Sequence, residues 1–301
     1  MTDQELGATI DKYFKFLKTD KPSPVTLYLD SLAPSGQRSM RSLLQTAASI
    51  FEFEGSLERM PWPLLQYHHF ALIKSTLKAR GKTANTINLT LAACKGVMKA
   101  CFNLGLITAD QLMQVNAIKR VRGSKLPTGR CLTNSEIKAL VRVCKQDKTS
   151  NGKRDLAIIV IMLSAGLRRS EVIALQHTDY DSRNGRLLVN GKGNKQRQVF
   201  IQTDARKLIR PWLKQNADSS LLFSISSQAV YDVLKKRCKQ AKIDHCSPHD
   251  LRRTFVTKML EHTDINTVRQ LAGHSDIQTT ATYDKRDERQ QKKAVKQASI
   301  V

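Results

Sequence analysis

The chain has 301 residues, enough for two domains with their own cores, and its 41% hydrophobic content excludes a disordered protein as the default. Lysine and arginine number 50 against 26 acidic residues, and the net charge of +24 indicates a polyanionic partner, with nucleic acid the first candidate. The basic excess runs through both halves of the chain, which is typical of a protein that surrounds its partner.

Cysteine usage indicates a reducing compartment, and hydropathy argues against a membrane span. The six cysteines form no CxxC pair and have no regular spacing, which argues against a zinc site or a disulfide framework. The longest apolar run, residues 156–167, is only about half as long as a membrane span. The polar N-terminus lacks the layout of a signal peptide. We therefore predict a cytoplasmic protein that does not enter a membrane.

Helical patterns fill most of the N-terminal part. They cover residues 1–20, 35–53, 62–79 and 83–104, so a first, helical domain is predicted over residues 1–118. Basic residues recur at helical intervals along the last two patterns. Their spacing fits a DNA-facing stripe and a solvated helix face equally well. These residues are Lys74, Lys78, Arg80, Lys82, Lys95 and Lys99.

Residues 119–130 have the composition of a linker, with two glycines, a proline and few apolar side chains. A mobile basic connector of this kind suits a clamp around a duplex. Its basic residues are Lys119, Arg120, Arg122, Lys125 and Arg130. Directly afterwards Thr133 and Glu136 have the spacing of a helix capping box, so a second domain is predicted over residues 131–301.

The second domain is predicted to be mainly helical with a small antiparallel sheet. Residues 154–165 form an apolar helical pattern that Gly166 interrupts, and another helix follows it. Between residues 180 and 201 the period changes to that of a strand, with an SRNG turn and a GKGN turn, which predicts a hairpin. Helices are predicted over residues 227–242, 248–261, 265–272 and 276–283, the last capped by Ser275.

Several polar side chains in this domain have chemically useful positions. His249 and Arg252 fall at i and i+3 on one helix face, although an ordinary surface helix has such residues too. Arg168 emerges at a helix end after Gly166, where it could bind an anion or pair with Glu171. His274 and Tyr283 alone are an ordinary turn histidine and a half-buried tyrosine. Lys192 and Lys195 in the GKGNK turn are equally ordinary alone.

In combination and order these residues resemble the signature of the tyrosine recombinases, also called the integrase family. That family has an arginine in a GLRxxE stretch, a lysine in a β-hairpin, an HxLR box, a GH pair and a tyrosine nucleophile. The chain has GLRRSE, GKGNK, HDLR, GHS and TTATY. The motifs cover most of residues 160–283. The N-terminal part resembles the family's helical core-binding, SAM-like domain in size, helical character and charge.

The resemblance implies an enzyme that breaks and rejoins DNA at specific sites, in recombination or in the integration of mobile genetic elements, through a 3′-phosphotyrosyl intermediate without metal, ATP or cofactor. Tyr283 is the implied nucleophile, Arg168 and Arg252 bind the scissile phosphate, and Glu171 supports Arg168. Lys192 is the implied general acid, His249 assists proton transfer, and His274 hydrogen-bonds the phosphoryl group. Lys195 and the linker residues Lys119, Arg120, Arg122 and Lys125 are predicted to contact DNA.

The implied partner is double-stranded DNA, held by a homotetramer on two DNA sites. In the family the segment after the tyrosine often docks on a neighbouring protomer, whereas a frayed tail is equally compatible with residues 285–301. A type IB topoisomerase has similar chemistry and is the main alternative. A DNA-binding regulator would explain the charge but not the set of motif residues, and a metal nuclease would need a cluster of carboxylates.

Overall fold

The computed structural model describes residues 3–123, 129–191 and 196–284, which fall into two compact units, Met1–Lys125 and Leu126–Val301. The predicted fold class, mainly helical with a small antiparallel sheet, is confirmed. The described residues contain no helix that is both long and apolar enough to cross a membrane.

The first unit is built around one long buried helix. This helix, α5, is capped by the Thr83 hydroxyl, which accepts from the Thr86 amide, and it buries a face that runs from Ile87 to Cys101. The α-helices in order are α1 Asp3–Leu17, α2 Pro24–Asp30, α3 Pro34–Ala48, α4 Tyr67–Ala79, α5 Ala84–Asn103 and α6 Ala109–Asn116. Short 3-10 turns at Ser49–Phe51 and Trp62–Leu64 complete the unit. Helices α2 and α6 were not predicted, because seven or eight residues are too few to show a helical period.

The start of the predicted linker lies on the first unit. The Val121 amide donates to Asn88 Oδ1 at 2.8 Å, and Asn88 Nδ2 returns a bond to the Val121 carbonyl at 3.0 Å. Lys74 donates to the Lys119 carbonyl and Lys95 to the Ile118 carbonyl. Two lysines of the predicted basic stripe therefore hold this segment in place.

The second unit contains the small sheet and the remaining helices. These are α7 Asn134–Gln146, α8 Ser150–Ala165, α9 Arg169–Ala174, α10 Thr203–Gln215, α11 Ser227–Ala241, α12 Pro248–Leu260, α13 Ile265–Ala272 and α14 Ile277–Ala281, with a 3-10 turn at His177–Asp179. Strands β1 Tyr180–Asp181, β2 Arg186–Asn190 and β3 Gln196–Phe200 pair antiparallel in that order, with Leu187 opposite Val199. The sheet thus has one short strand more than the predicted hairpin.

Helix α8 is the centre of the second core. Residues 155–162 are all buried, and α7, α10 and α12 pack around them, so this apolar run is a core helix as predicted. Helix α10 was missed. It has Pro211 in its interior and a dense set of charges, which masked the face that buries Ile209 and Trp212. Asp276, and not the predicted Ser275, caps α14 by accepting from the Gln278 amide.

The start of the second unit is anchored beside α12. Thr133 and Glu136 form the predicted capping box of α7. The Arg130 amide donates to Asp250 Oδ1 at 2.9 Å, and its guanidinium bonds Glu136 and the Asp244 carbonyl, each at 2.5 Å. The end of the predicted linker is therefore fixed to the second unit, and Arg130 is engaged inside the protein.

Candidate active site

The turn between α8 and α9 places Arg168 at a helix start. Gly166 ends α8 with φ 61°, a left-handed conformation that glycine adopts without strain, and a Cβ there would collide with the Phe255 ring. Arg168 is the N-cap of α9, and its amide donates to Glu171 Oε2 at 2.7 Å while its Nη1 donates to Oε1 at 2.8 Å. Its side chain stays 39% exposed, so it can still reach a ligand.

Helix α12 supplies a second arginine and a histidine. Ser247 and Asp250 form its capping box and Pro248 occupies its first turn, so His249 and Arg252 project from the same face. Arg252 is only 3% exposed. Its Nη1 donates to the Gly166 carbonyl and its Nη2 to the Ala272 carbonyl, both at 2.6 Å. Burial, together with the positive charge of Arg168, lowers the pKa of Arg252 to about 10.

Helix α13 ends at Gly273, whose φ of 66° turns the chain so that His274 lies in the buried interior. Nδ1 of His274 lies 2.9 Å from the Thr280 hydroxyl, which leaves Nε2 available to a ligand. Arg168 Nη2 donates to the Gly273 carbonyl at 2.8 Å. The end of α13 therefore contacts both predicted phosphate-binding arginines.

Tyr283 lies within the same cluster. It is 6% exposed, and its hydroxyl is 3.2 Å from Nε2 of His249. Its ring stacks on His274 with centroids 6.0 Å apart and planes inclined by 16°. Arg253 lies over the ring, with Cζ 4.8 Å from the centroid. The hydroxyl thus has a basic imidazole on one side, and a cation lies over the ring.

The charges in this cluster leave a positive excess. Arg168, Arg252 and Arg197 surround one buried carboxylate, Glu171. Burial raises the pKa of Glu171, but hydrogen bonds from Arg197 and from the Arg168 amide outweigh it and hold the pKa below its usual value. A single carboxylate cannot neutralise three guanidinium groups. The cluster is therefore suited to bind an anion with two or more oxygen acceptors.

Six of the predicted site residues converge. The structure brings together Arg168, Glu171, His249, Arg252, His274 and Tyr283 through the contacts given above. Lys192, Lys195 and Lys125 lie outside the described residues. Lys119, Arg120 and Arg122 are exposed on the first unit.

Sequence reasoning missed Arg197, which bonds Glu171 from strand β3. The available signal was strand alternation. Arg197 falls on the same inward face as the buried Val199, and an arginine at such a position needs an internal partner.

His245, Cys246 and His249 are close enough in sequence to suggest a metal site, but in the structure each of them has a different partner. His245 Nε2 is 3.0 Å from the Tyr231 hydroxyl, the Sγ atoms of Cys246 and Cys238 are 3.3 Å apart, and His249 faces Tyr283. No group of three or more potential metal-ligating residues occurs among residues 3–123, 129–191 and 196–284.

Both histidines are neutral near pH 7. Burial lowers the pKa of His274 to about 4, and Arg252 and Arg168 act in the same direction. Loss of water around His249, with Arg253 and Arg252 nearby, lowers the pKa of its imidazole from the ordinary 6.5. A neutral His249 can accept a proton from the Tyr283 hydroxyl, and a neutral His274 can donate a hydrogen bond without a like-charge conflict with the arginines.

We expect the free energy of unfolding to fall with acidification because of His274. Its folded-state pKa of about 4 lies below the unfolded value of 6.5, so the unfolded state binds more protons between these two values. The contribution is complete above pH 6.5 and is lost as the pH falls towards about 4, up to about 3 kcal/mol. Urea unfolding of wild type and His274→Asn at several pH values measures it.

His274→Asn should flatten this pH dependence, whereas the exposed His262→Asn should leave it as in wild type. Equal slopes for wild type and His274→Asn would show that His274 is not the group responsible.

Comparison with known proteins gives consistent matches. The model of the phage integrase family matches residues 130–290. The tyrosine recombinase XerC of Alcanivorax borkumensis is 28% identical over 273 residues, 86% of this chain and 88% of the relative. The tyrosine recombinase XerA of Pyrococcus furiosus is 31% identical over 239 residues, 75% of this chain and 78% of the relative.

Solved structures share the fold at lower identity. The XerH site-specific recombinase bound to a palindromic difH substrate, a post-cleavage complex, has a TM-score of 0.67 at 19% identity and covers 87% of this chain and 79% of its own. A lambda integrase dimer bound to a COC′ core site has a TM-score of 0.64 at 15% identity and covers 94% and 96%. These likenesses show that the chain shares the fold of both structures.

Proposed function

The chain belongs to the phage integrase family, and from this premise we propose how its residues carry out recombination. The protein is a site-specific tyrosine recombinase that binds DNA and breaks and rejoins it. The observation that carries the assignment of residues is the contact of Tyr283 with His249 inside a cluster that also holds Arg168 and the buried Arg252. Nothing in the comparisons supports the alternative of a type IB topoisomerase.

In the proposed reaction the Tyr283 oxygen attacks the scissile phosphorus. The bond from phosphorus to the 5′ oxygen breaks, and a 3′-phosphotyrosyl link forms. His249, 3.2 Å from the hydroxyl, accepts the phenol proton. Because the phosphodiester is exchanged for another phosphodiester, the bond energy is retained and joining needs no ATP. Attack by the freed 5′ hydroxyl of a second strand then reverses the step and releases Tyr283.

The arginines and His274 stabilise the charge that builds on the phosphoryl oxygens. Arg168 and Arg252 each retain N–H groups beyond those bonded to Glu171 and to the carbonyls, so each can donate to a non-bridging oxygen. The fixed protein contacts hold these donors before DNA arrives, which is the condition for effective electrostatic catalysis. Lys192 is proposed as the general acid for the 5′ oxygen, on the family motif alone.

Binding of the duplex is proposed to involve both units. The charge of +24 supports a wide electrostatic footprint. Lys119, Arg120 and Arg122 are exposed and are proposed to contact the backbone, together with Lys125 and Lys195. We propose a homotetramer on two DNA sites, with residues 285–301, which lie outside the described part of the chain, as the segment that docks between protomers. Six free thiols, five of them buried, support a reducing cytoplasm as the place of action.

The experiment that tests this function compares two reactions. A plasmid that carries two cognate sites should be resolved or inverted, whereas a supercoiled plasmid without a site should stay supercoiled. Relaxation of the site-free plasmid, with no exchange between cognate sites, would instead assign a topoisomerase. The cognate site is obtained by sequencing the DNA that becomes covalently attached to the protein in its host.

A further inference from the structure

Arg197 joins the sheet to the active site. It lies on β3, and its side chain is only 10% exposed because it points to the same face as the buried Val199. Its Nη1 donates to Glu171 Oε1 at 2.9 Å and its Nη2 to Oε2 at 2.8 Å, a bidentate pair. Its Nε donates to the Leu271 carbonyl at 2.9 Å. One guanidinium thus contacts both α9 and the end of α13.

Glu171 is shared symmetrically between two arginines. Each carboxylate oxygen accepts one bond from Arg168 and one from Arg197: Oε1 accepts from the two Nη1 atoms, and Oε2 accepts from the Arg168 amide and from Arg197 Nη2. The plane of the carboxylate is therefore fixed by Arg197, and Arg168 is oriented by that plane.

The end of α13 is held in the same way. Three consecutive carbonyls each accept from a different arginine: Leu271 from Arg197, Ala272 from Arg252, and Gly273 from Arg168. Carbonyls at the C-terminal end of a helix lack an amide partner within the helix and lie at the negative end of its dipole, so cations are favoured there. His274 follows directly and is placed by this helix end.

We propose that Arg197 is a positioning residue for DNA cleavage, which orients Arg168 through Glu171 and fixes the helix end that carries His274. The inference rests on the proposed function, in which Arg168 and His274 contact the scissile phosphate. Arg197 itself is assigned no contact with the phosphate. Its loss therefore affects the rate of the chemical step and leaves DNA affinity nearly unchanged.

The test uses single-turnover cleavage of a nicked suicide substrate together with equilibrium DNA binding. Arg197→Gln should lower the cleavage rate by about 100-fold, the typical effect of a misplaced reacting group, with DNA affinity within about threefold of wild type. Arg197→Lys keeps the buried charge but not the bidentate geometry, so its cleavage rate should lie between that of wild type and that of Arg197→Gln. Arg186→Gln on β2 removes an exposed arginine from the same sheet and is the matched control.

A double-mutant cycle with Glu171→Gln separates positioning from a direct role. Because part of the effect of Arg197 is proposed to pass through Glu171, the loss of cleavage rate in the double variant should be smaller than the product of the two single losses. Multiplicative losses, or a loss of DNA affinity that matches the loss of rate, would overturn the inference. If Arg197→Gln does not fold, Arg197→Lys decides, and cleavage by a folded Arg197→Lys at the rate of Arg186→Gln would likewise overturn it.

Adduct formation by the wild-type protein shows whether a negative result contradicts the positioning role of Arg197 or the proposed function itself. Wild type that forms no covalent adduct would contradict the proposed function. Wild type that forms the adduct, alongside Arg197 variants that cleave like the control, would contradict the positioning role alone.

Discussion

Tyr283→Phe is expected to abolish the covalent protein–DNA adduct while DNA binding persists. The substitution removes the only atom proposed to attack phosphorus and leaves the ring, which packs in the cluster of Phe255, Val256 and Leu260. The lost hydrogen bond to His249 should cost only about 1 kcal/mol of folding free energy. The measurement is denaturing electrophoresis of protein mixed with a labelled, nicked suicide substrate, alongside a binding assay on the same DNA.

Tyr231→Phe is the matched control. Tyr231 also has its hydroxyl beside a histidine ring nitrogen, His245 Nε2 at 3.0 Å, but it lies on α11, which supplies no residue of the proposed site. This variant should form the adduct as wild type does. An adduct that persists in Tyr283→Phe would assign the nucleophile to another residue.

Arg168→Ala and Arg252→Ala are expected to reduce cleavage far more than binding. Each change removes a fixed donor for the phosphoryl oxygens, so the cleavage rate should fall by about 10²–10³-fold. DNA affinity should change by less than about tenfold, because one contact among many is lost. Arg168→Ala leaves the Gly273 carbonyl without its donor. Arg252→Ala leaves both the Gly166 and the Ala272 carbonyl without theirs, and Arg252 is the more buried residue, so this change should lower stability by about 1–3 kcal/mol more than Arg168→Ala.

Arg169→Ala controls for charge, since it removes an exposed arginine adjacent to Arg168. Its effects on binding and on cleavage should be similar and small. If Arg168→Ala and Arg252→Ala weaken binding as much as cleavage, both residues are ordinary DNA contacts. Arg→Lys versions of both changes should recover little activity, because lysine lacks the planar fork.

The order of short motifs predicts the candidate site residues, and six of them lie together in the described part of the chain. GLRRSE, HDLR and GHS each stand at a helix end, and helix ends are marked locally by glycine, proline and capping residues. Arg168 and His249 are far apart in sequence, and their proximity depends on the tertiary fold, which no local sequence pattern reveals. It was predicted only because the family resemblance supplied it.

The missed features share a physical cause. The helical period of α10 is obscured by Pro211 and by charges, and tertiary packing of Ile209 and Trp212 overrides that local signal. Arg197 looks like one of many basic residues in a basic chain. Arg237 is similar: it is fully buried on α11, where it bonds Asp155 and Asp147. The partners of a buried arginine lie far away in sequence, so only the folded chain reveals them.

The most direct test of the central claim is to identify the residue that becomes attached to DNA. Protein is incubated with a nicked suicide substrate in excess EDTA, digested with protease, and the DNA-linked peptide is mapped by mass spectrometry. We predict a phosphotyrosyl bond between Tyr283 and the 3′ end of the cleaved strand, formed in EDTA as fast as in Mg²⁺. Attachment at any other residue, or cleavage that requires the metal and leaves no adduct, would contradict the account.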